Sequence, residues 1–201
     1  MTNLEIAVAT YISYLIGSVS SAIIVCRAMG LPDPRTLGSR NPGATNVLRI
    51  GGKKAAIITL AGDMLKGVIP VLTARWLGFE ANALALISFA AFLGHLFPIF
   101  FRFEGGKGVA TALGCILALS FPAGLSWIAT WGIVAMLFRY SSLASLMASL
   151  LAPVYIWYFT DNFLWAATTA LMSLILIIRH RTNIAKLIRG EESKIGKKKA
   201  A

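Results

Sequence analysis

The sequence predicts an all-α, polytopic membrane protein that crosses the bilayer as seven transmembrane helices, with its N-terminus outside and its C-terminus in the cytoplasm. Three observations carry that reading. Hydrophobic residues make up 57% of the 201 residues and charged residues 13%, against roughly 45–50% and about 25% in a soluble domain. The apolar residues fall in blocks close to the ~20 residues that a helix needs to span a bilayer. The Lys and Arg residues, which give a formal net charge of +11, collect in alternate connections between blocks, as cytoplasmic loops do.

The blocks define the elements in order. Leu4 to Cys26 holds one acid, Glu5, and no other charge. It lacks a basic leading region and is long enough to span, so it reads as a retained helix and not as a cleaved signal peptide. The next span carries Asp63 and Lys66 three residues apart. Charges at that depth are costly and face the bundle interior with a partner, so the two are expected to pair with each other. Asn82 to Phe101 is uncharged, and its His95, ahead of Pro98, reads as a hydrogen-bonded structural residue. Val109 to Phe138 is too long for one helix and short for two; Pro122 and Gly124 interrupt it where a tight inter-helix turn is expected. Ser141 to Tyr158 and Phe163 to Ile178, both uncharged, complete the seven. Cys26 and Cys115 lie in apolar stretches without disulfide or metal-ligand spacing and read as small apolar fillers. One integral membrane domain covers residues 1–201, ending in a short basic cytoplasmic tail at about 190–201 that holds Lys197, Lys198 and Lys199.

Charge fixes the span count. With two helices in 109–138 and the N-terminus outside, the first inner segment holds Arg27, Arg35, Arg40, Arg49, Lys53 and Lys54. The second holds Arg102 and Lys107, the third Arg139, and the last Arg179, Arg181, Lys186, Arg189, Lys194 and the tail lysines. Those are seventeen of the nineteen basic residues. Arg75 alone falls outside, and Lys66 lies within a span. A single helix over 109–138 would export the basic tail, against the positive-inside bias. The basic charge is thereby explained by membrane orientation, with no nucleic-acid partner.

The inner connections are also the ones rich in Gly, Ser, Asn and Pro, which puts the chemistry on one face. The first reads LPDPRTLGSRNPGATNVLRIGGKK (31–54). Gly38, Ser39, Asn41, Gly43, Thr45 and Asn46 combine backbone freedom with short polar side chains, a composition that makes N–H nests for phosphate. A helix starting near Ala44–Thr45 adds its N-terminal dipole, and Arg40 and Arg49 add charge. The second reads FRFEGGKGVATALG (101–114), where Gly105, Gly106, Lys107 and Gly108 open a helix, so that backbone amides and an ammonium converge. The same residues also make ordinary solvated turns, and a basic loop also serves as a positive-inside anchor, which suits Arg102 better than Lys107. Two such loops on one face favour an anion site. The third, IIRHRTNIAKLIRGEE (177–192), puts His180 and Asn183 on one face if the helix continues, with Ile184, Leu187 and Ile188 forming an interfacial helix. Ser141, Ser142 and Ser145 beside Tyr140 are helix-end or packing residues, one of which could face the site.

Metal-ligand clusters, HExxH, GxSxG and a His followed five residues later by Asp are all absent from the sequence. What remains is a set of anion-binding groups with few candidate bases, suited to a reaction of phosphorylated substrates that needs no metal and no cofactor. In this setting the segments GSRNPGATNVLR (38–49), GDMLKG (62–67), GHLFPIFFRFEGGKGVATALG (94–114), YSSLASL (140–146) and RHRTNIAKLIRGEE (179–192) resemble, in order, the motifs of the PlsY family, bacterial inner-membrane acyl-phosphate:glycerol-3-phosphate acyltransferases. One departure is visible: the family usually reads GSGN, where this chain has Arg40, which is expected to point to solvent or headgroups.

The resemblance implies transfer of a fatty acyl group from acyl phosphate to the 1-hydroxyl of glycerol 3-phosphate, giving lysophosphatidic acid and phosphate, among membrane lipids at the cytoplasmic face. It implies a polar site of Ser39, Arg49, Lys107, Ser145, His180 and Asn183. The GSRNPGATN and GGKG backbones would hold the donor phosphate, and Lys107, His180 and Asn183 the acceptor phosphate. Functional coupling to the enzyme that makes the acyl phosphate follows from the same likeness. The alternative is a membrane transporter of phosphate or a phosphoester. Transporters usually show inverted repeats and binding at mid-membrane depth; here no repeat is visible and the loops lie at one face.

Overall fold

The computed structural model describes residues 1–196; Lys197, Lys198 and Lys199 lie outside the described residues. Regular structure among the described residues is helical: α1 (Asn3–Gly17), α2 (Ser21–Ala28), α3 (Ala44–Trp76), α4 (Ala81–Leu96), a 3-10 turn at Ile99–Phe101, α5 (Val109–Leu119), α6 (Phe121–Phe138), α7 (Ser141–Thr160), α8 (Phe163–Arg179) and α9 (Arg181–Ile188). The chain divides into two compact units, Met1–Phe121 and a second beginning at Pro122.

Around buried apolar cores that include Val47 and Phe92 in the first unit and Ile156 in the second, burial departs from that of a water-soluble protein. Leu4, Ile57, Trp76, Met136 and Tyr158 are exposed, while Ser13, Thr59, Asp63, Lys66 and Thr111 are buried. Side chains sort in this way when hydrocarbon is the solvent and polar groups must be satisfied internally. Among the described residues, five helical stretches are long and apolar enough to cross a membrane: Asn3–Ala28, Ala44–Trp76, Ala81–Phe101, Phe121–Phe138 and Ser141–Thr160. The pair α8 and α9, bent by 59°, makes a sixth if taken as one span. The apolar α5 has 11 residues, about 16 Å at ~1.5 Å per residue, or half of a ~30 Å hydrocarbon core.

In the first unit, α1 packs on α4, and α2 and α5 pack on α3. Small residues let the backbones approach: a β-carbon on Gly17 would overlap the Ala91 carbonyl, and one on Gly114 the Met64 carbonyl, the close packing that apolar surroundings favour. The run Leu4–Cys26 predicts one helix, yet it breaks between α1 and α2. The buried Lys66 ammonium pairs with Asp63 (2.9 Å) as expected and also donates to the main-chain oxygen of Val19 in that break (2.8 Å). The long α3 bends at Gly52, where φ is 77°.

The interruption of 109–138 falls at Ser120, in extended backbone (φ −151°, ψ 106°), two residues before the expected turn. Pro122 instead occupies the first turn of α6, where its missing N–H costs no helical bond. Arg75 donates to the carbonyls of Ala118 (3.3 Å) and Leu119 (3.4 Å) at the end of α5. In the second unit, α7 packs on α8, with Ser173 donating to the Ser149 carbonyl (2.6 Å). The chain after α9 returns to the α6–α7 turn: the Ile195 N–H donates to the Arg139 carbonyl (2.6 Å) and Arg139 Nη2 to the Ile195 carbonyl (3.0 Å). Cys26 and Cys115 are buried free thiols.

Candidate active site

One side chain organises the connection between α2 and α3. Asn46, 1% exposed, donates through Nδ2 to the carbonyls of Pro34 (2.8 Å) and Leu37 (3.0 Å) and accepts at Oδ1 from the Ser39 N–H (2.8 Å). The sequence groups Asn46 with the phosphate-binding residues; the structure commits its amide to the loop's own backbone, which it shapes. Gly43 stands just before α3, and its carbonyl accepts the N–H groups of Asn46 (3.0 Å) and Val47 (3.1 Å), so the helix starts at Ala44 as expected. The positive end of its dipole therefore adjoins Gly38, Ser39 and Asn41. Thr45 and Arg49 are exposed one turn apart on that first segment. Arg40 is exposed, as predicted, and its φ is 56°, the left-handed conformation that glycine adopts most easily.

Arg35 ties this loop to the next. It donates from Nε and Nη2 to Asp33 (2.7 Å at the closest) and from Nη1 to Glu104 (3.0 Å). These hydrogen bonds hold the Asp33 carboxyl below the usual carboxylate range and raise the Arg35 guanidinium. The two glycine-rich loops also abut at Gly106, where a β-carbon would come within 3.0 Å of the Pro42 carbonyl.

The second loop is held from beneath. The Gly106 N–H donates to the His95 carbonyl (3.2 Å), and a β-carbon on Gly106 would overlap His95 Nε2. Gly108 has φ 88° and rests on Phe92 and Leu96, so only glycine fits there without strain. Lys107 is half-buried between these anchors, whereas Arg102 is exposed, with φ 56°. Below the loop, His95 Nδ1 lies 3.1 Å from the Thr111 hydroxyl and 3.7 Å from Asp63, in line with its expected structural role.

The second unit carries the other predicted residues. Ser145, 4% exposed, donates to the Ser141 carbonyl (2.9 Å) and accepts from Trp131 Nε1 (3.1 Å). His180 does not continue a helix: it is the joint between α8 and α9, and its Nδ1 lies 2.8 Å from the Leu176 carbonyl. A carbonyl only accepts, so Nδ1 carries the proton and any chemistry of the neutral ring passes through Nε2. Asn183, one turn into α9, donates to Glu192 (2.8 Å), as does the Ser142 hydroxyl (2.7 Å). Glu192, Trp131 and Thr111 escaped sequence reasoning, because each acts through a contact distant along the chain.

Residues 7–190 match the model of the family described as glycerol-3-phosphate acyltransferase. The chain belongs to that family. Among glycerol-3-phosphate acyltransferases it is 55% identical over 187 residues to that of Methylococcus capsulatus, covering 93% of this chain and 94% of that one. With that of Ralstonia pickettii it shares 58% over 194 residues, covering 94% and 93%. Two crystal structures of PlsY, an integral membrane glycerol 3-phosphate acyltransferase, also match over 96% of both chains. The glycerol 3-phosphate form aligns with TM-score 0.91 at 36% identity, and the lysophosphatidic acid form with TM-score 0.88 at 34%. Like its relatives in the glycerol-3-phosphate acyltransferase family, the chain is an acyltransferase and a multi-pass membrane protein, which gives it a part in phospholipid biosynthesis.

Proposed function

We propose that the enzyme transfers a fatty acyl group from acyl phosphate to the 1-hydroxyl of glycerol 3-phosphate, giving lysophosphatidic acid and phosphate, the first acylation of phospholipid synthesis. The two forms of the solved relative carry the reading, because glycerol 3-phosphate and lysophosphatidic acid differ by one acyl group. Acyl phosphate as donor rests on the motif resemblance and on chemistry. The acceptor oxygen attacks the acyl carbon, the bond from that carbon to the phosphate oxygen breaks, and phosphate leaves with the electron pair. It departs already ionised, so no general acid is needed, and a donor phosphate oxygen can take the hydroxyl proton. The protein then has to position and neutralise two phosphates.

The loop backbones at Gly38–Asn46 and Gly105–Gly108, with Arg49, suit the donor phosphate; Lys107, His180 and Asn183 suit the acceptor, with Ser39 and Ser145 completing the polar site. His180, whose Nδ1 is engaged by Leu176, orients the acceptor through Nε2. The whole chain acts as one acyltransferase domain, and coupling to the enzyme that makes acyl phosphate spares a labile intermediate. Purified protein should form lysophosphatidic acid from labelled glycerol 3-phosphate with acyl phosphate and not with acyl-CoA; formation from acyl-CoA alone would overturn the donor assignment. His180→Asn should raise the KM for glycerol 3-phosphate with a modest fall in kcat. A kcat loss of several orders with affinity intact would make His180 the base.

We further propose seven spans in a bacterial inner membrane, α5 being the short fourth, with the N-terminus outside and residues 28–54, 102–108 and 179–201 cytoplasmic. The seventeen basic residues that this arrangement gathers on one side support it. In a variant with Cys26 and Cys115 replaced, Lys197→Cys should stay inert to an impermeant thiol reagent in intact cells; labelling there would refute the orientation.

A further inference from the structure

We propose that His95 is a positioning residue of the glycine-rich loop, locked in one tautomer by Thr111; this rests on the proposed use of that loop for substrate phosphate. The Thr111 hydroxyl lies 2.8 Å from the main-chain oxygen of Asp63. A carbonyl oxygen brings no hydrogen, so the hydroxyl commits its single proton there. His95 Nδ1 is 3.1 Å from the same hydroxyl oxygen and has to supply the proton of that contact. The Asp63 carboxylate, 3.7 Å from Nδ1, favours a proton on the same nitrogen. Nε2 is then the lone-pair edge of the neutral ring, and that edge packs on Gly106. The His95 carbonyl meanwhile accepts the Gly106 N–H at 3.2 Å, so one residue grips one glycine by main chain and ring together.

The grip is dry. Asp63, His95 and Thr111 are 2%, 6% and 0% exposed, and Lys66 closes the cluster 2.9 Å from Asp63. In such surroundings a lost partner is not replaced by water. Lys107 follows Gly106 directly in the chain, so any slip of Gly106 carries the ammonium with it. Misplacing a catalytic group by about 1 Å can cost on the order of a hundredfold. Thr111, one turn into α5, thereby sets where the loop sits without touching substrate.

The test uses the purified full chain with Thr111→Val, which keeps the shape and removes the hydroxyl, Thr111→Ser, which restores the hydroxyl, and His95→Asn, which keeps a donor near Nδ1 and removes the Nε2 edge. Thr111→Val and His95→Asn should raise the KM for glycerol 3-phosphate about tenfold, and Thr111→Ser should stay within about threefold of wild type. Equal changes in Thr111→Val and Thr111→Ser, or a change in melting temperature alone, would overturn the role. The tautomer has its own readout. The chain has two histidines, so ¹⁵N-histidine NMR of His180→Asn reports His95 by itself. Protonated Nδ1 with unprotonated Nε2 supports the lock, and the opposite tautomer overturns it, whatever the activity. A wild type without acyl transfer would sink the proposed function and leave this spectrum to decide the lock.

Discussion

Replacing Asn46 probes the first loop where the most bonds converge. The side chain makes three hydrogen bonds, at 2.8, 3.0 and 2.8 Å, all to loop backbone. At about 1 kcal/mol net for each neutral bond, Asn46→Ala should weaken the observed loop conformation by roughly 3 kcal/mol. That corresponds to a fall of about a hundredfold in its population relative to alternatives. Asn46→Asp is the sharper perturbation because it keeps the shape. One carboxylate oxygen can still accept the Ser39 N–H, but the other faces the carbonyls of Pro34 and Leu37 with no hydrogen to give. It should therefore be at least as damaging as alanine. Acyl transfer kinetics and thermal unfolding, measured together, give the readout, with Thr36→Val as control, since the Thr36 hydroxyl makes one exposed bond to Asp33. If Asn46→Asp transferred acyl groups within about threefold of the wild-type rate, the claim that this amide holds the loop would be wrong.

Lys107→Ala should impair transfer far more than Arg102→Ala, by about 2–4 kcal/mol of transition-state stabilisation, because Lys107 is half-buried in the glycine turn while Arg102 is exposed; similar mild losses in steady-state kinetics would leave Lys107 a topological role only. Arg40→Gly should leave the melting temperature near wild type, relief of the left-handed φ of 56° being offset by the extra freedom of unfolded glycine, about 0.5–1 kcal/mol. Arg40→Val should lower it, since a branched β-carbon is strongly disfavoured there; the reverse order would contradict the backbone geometry. The Asp33 carboxyl is depressed by Arg35, so its pairing contributes above the unfolded value of about 3.9 and is lost as pH falls through the lower folded one. Unfolding curves of wild type and Asp33→Asn should thus differ by a constant amount from pH 7 to about 5 and converge below about 4; convergence already near neutral pH would contradict the sign.

Local signals in the sequence reached the right places. The start of α3 at Ala44, the GGKG entry to α5 and the Asp63–Lys66 pair all depend on residues a few positions apart, where caps and helical spacing decide. What escaped depends on partners far along the chain. The run Leu4–Cys26 shows no break in composition, and the Val19 carbonyl in the observed break is met by Lys66, more than forty residues away. The expected helix through His180 bends there by 59°, with the ring turned onto the Leu176 carbonyl. Asn183 meets a glutamate nine residues on that spacing alone could not pair with it. Phosphate contacts rest on loop chemistry and family likeness, since neither spacing nor burial names an anion.

The guanidinium of Arg75 on the Ala118 and Leu119 carbonyls bears on how a half-length helix can exist in a membrane at all. The final carbonyls of a helix lie beyond its own N–H ladder and form its negative pole. Ending α5 among apolar neighbours would strand that pole, so Arg75 works as an electrical terminator, earthing a helix of only 11 residues. A charge consumed in this way carries no information about sidedness. Lys66, spent on Asp63 and the Val19 carbonyl, is another. Setting these two aside leaves seventeen basic residues, and in the proposed topology every one of them faces the cytoplasm.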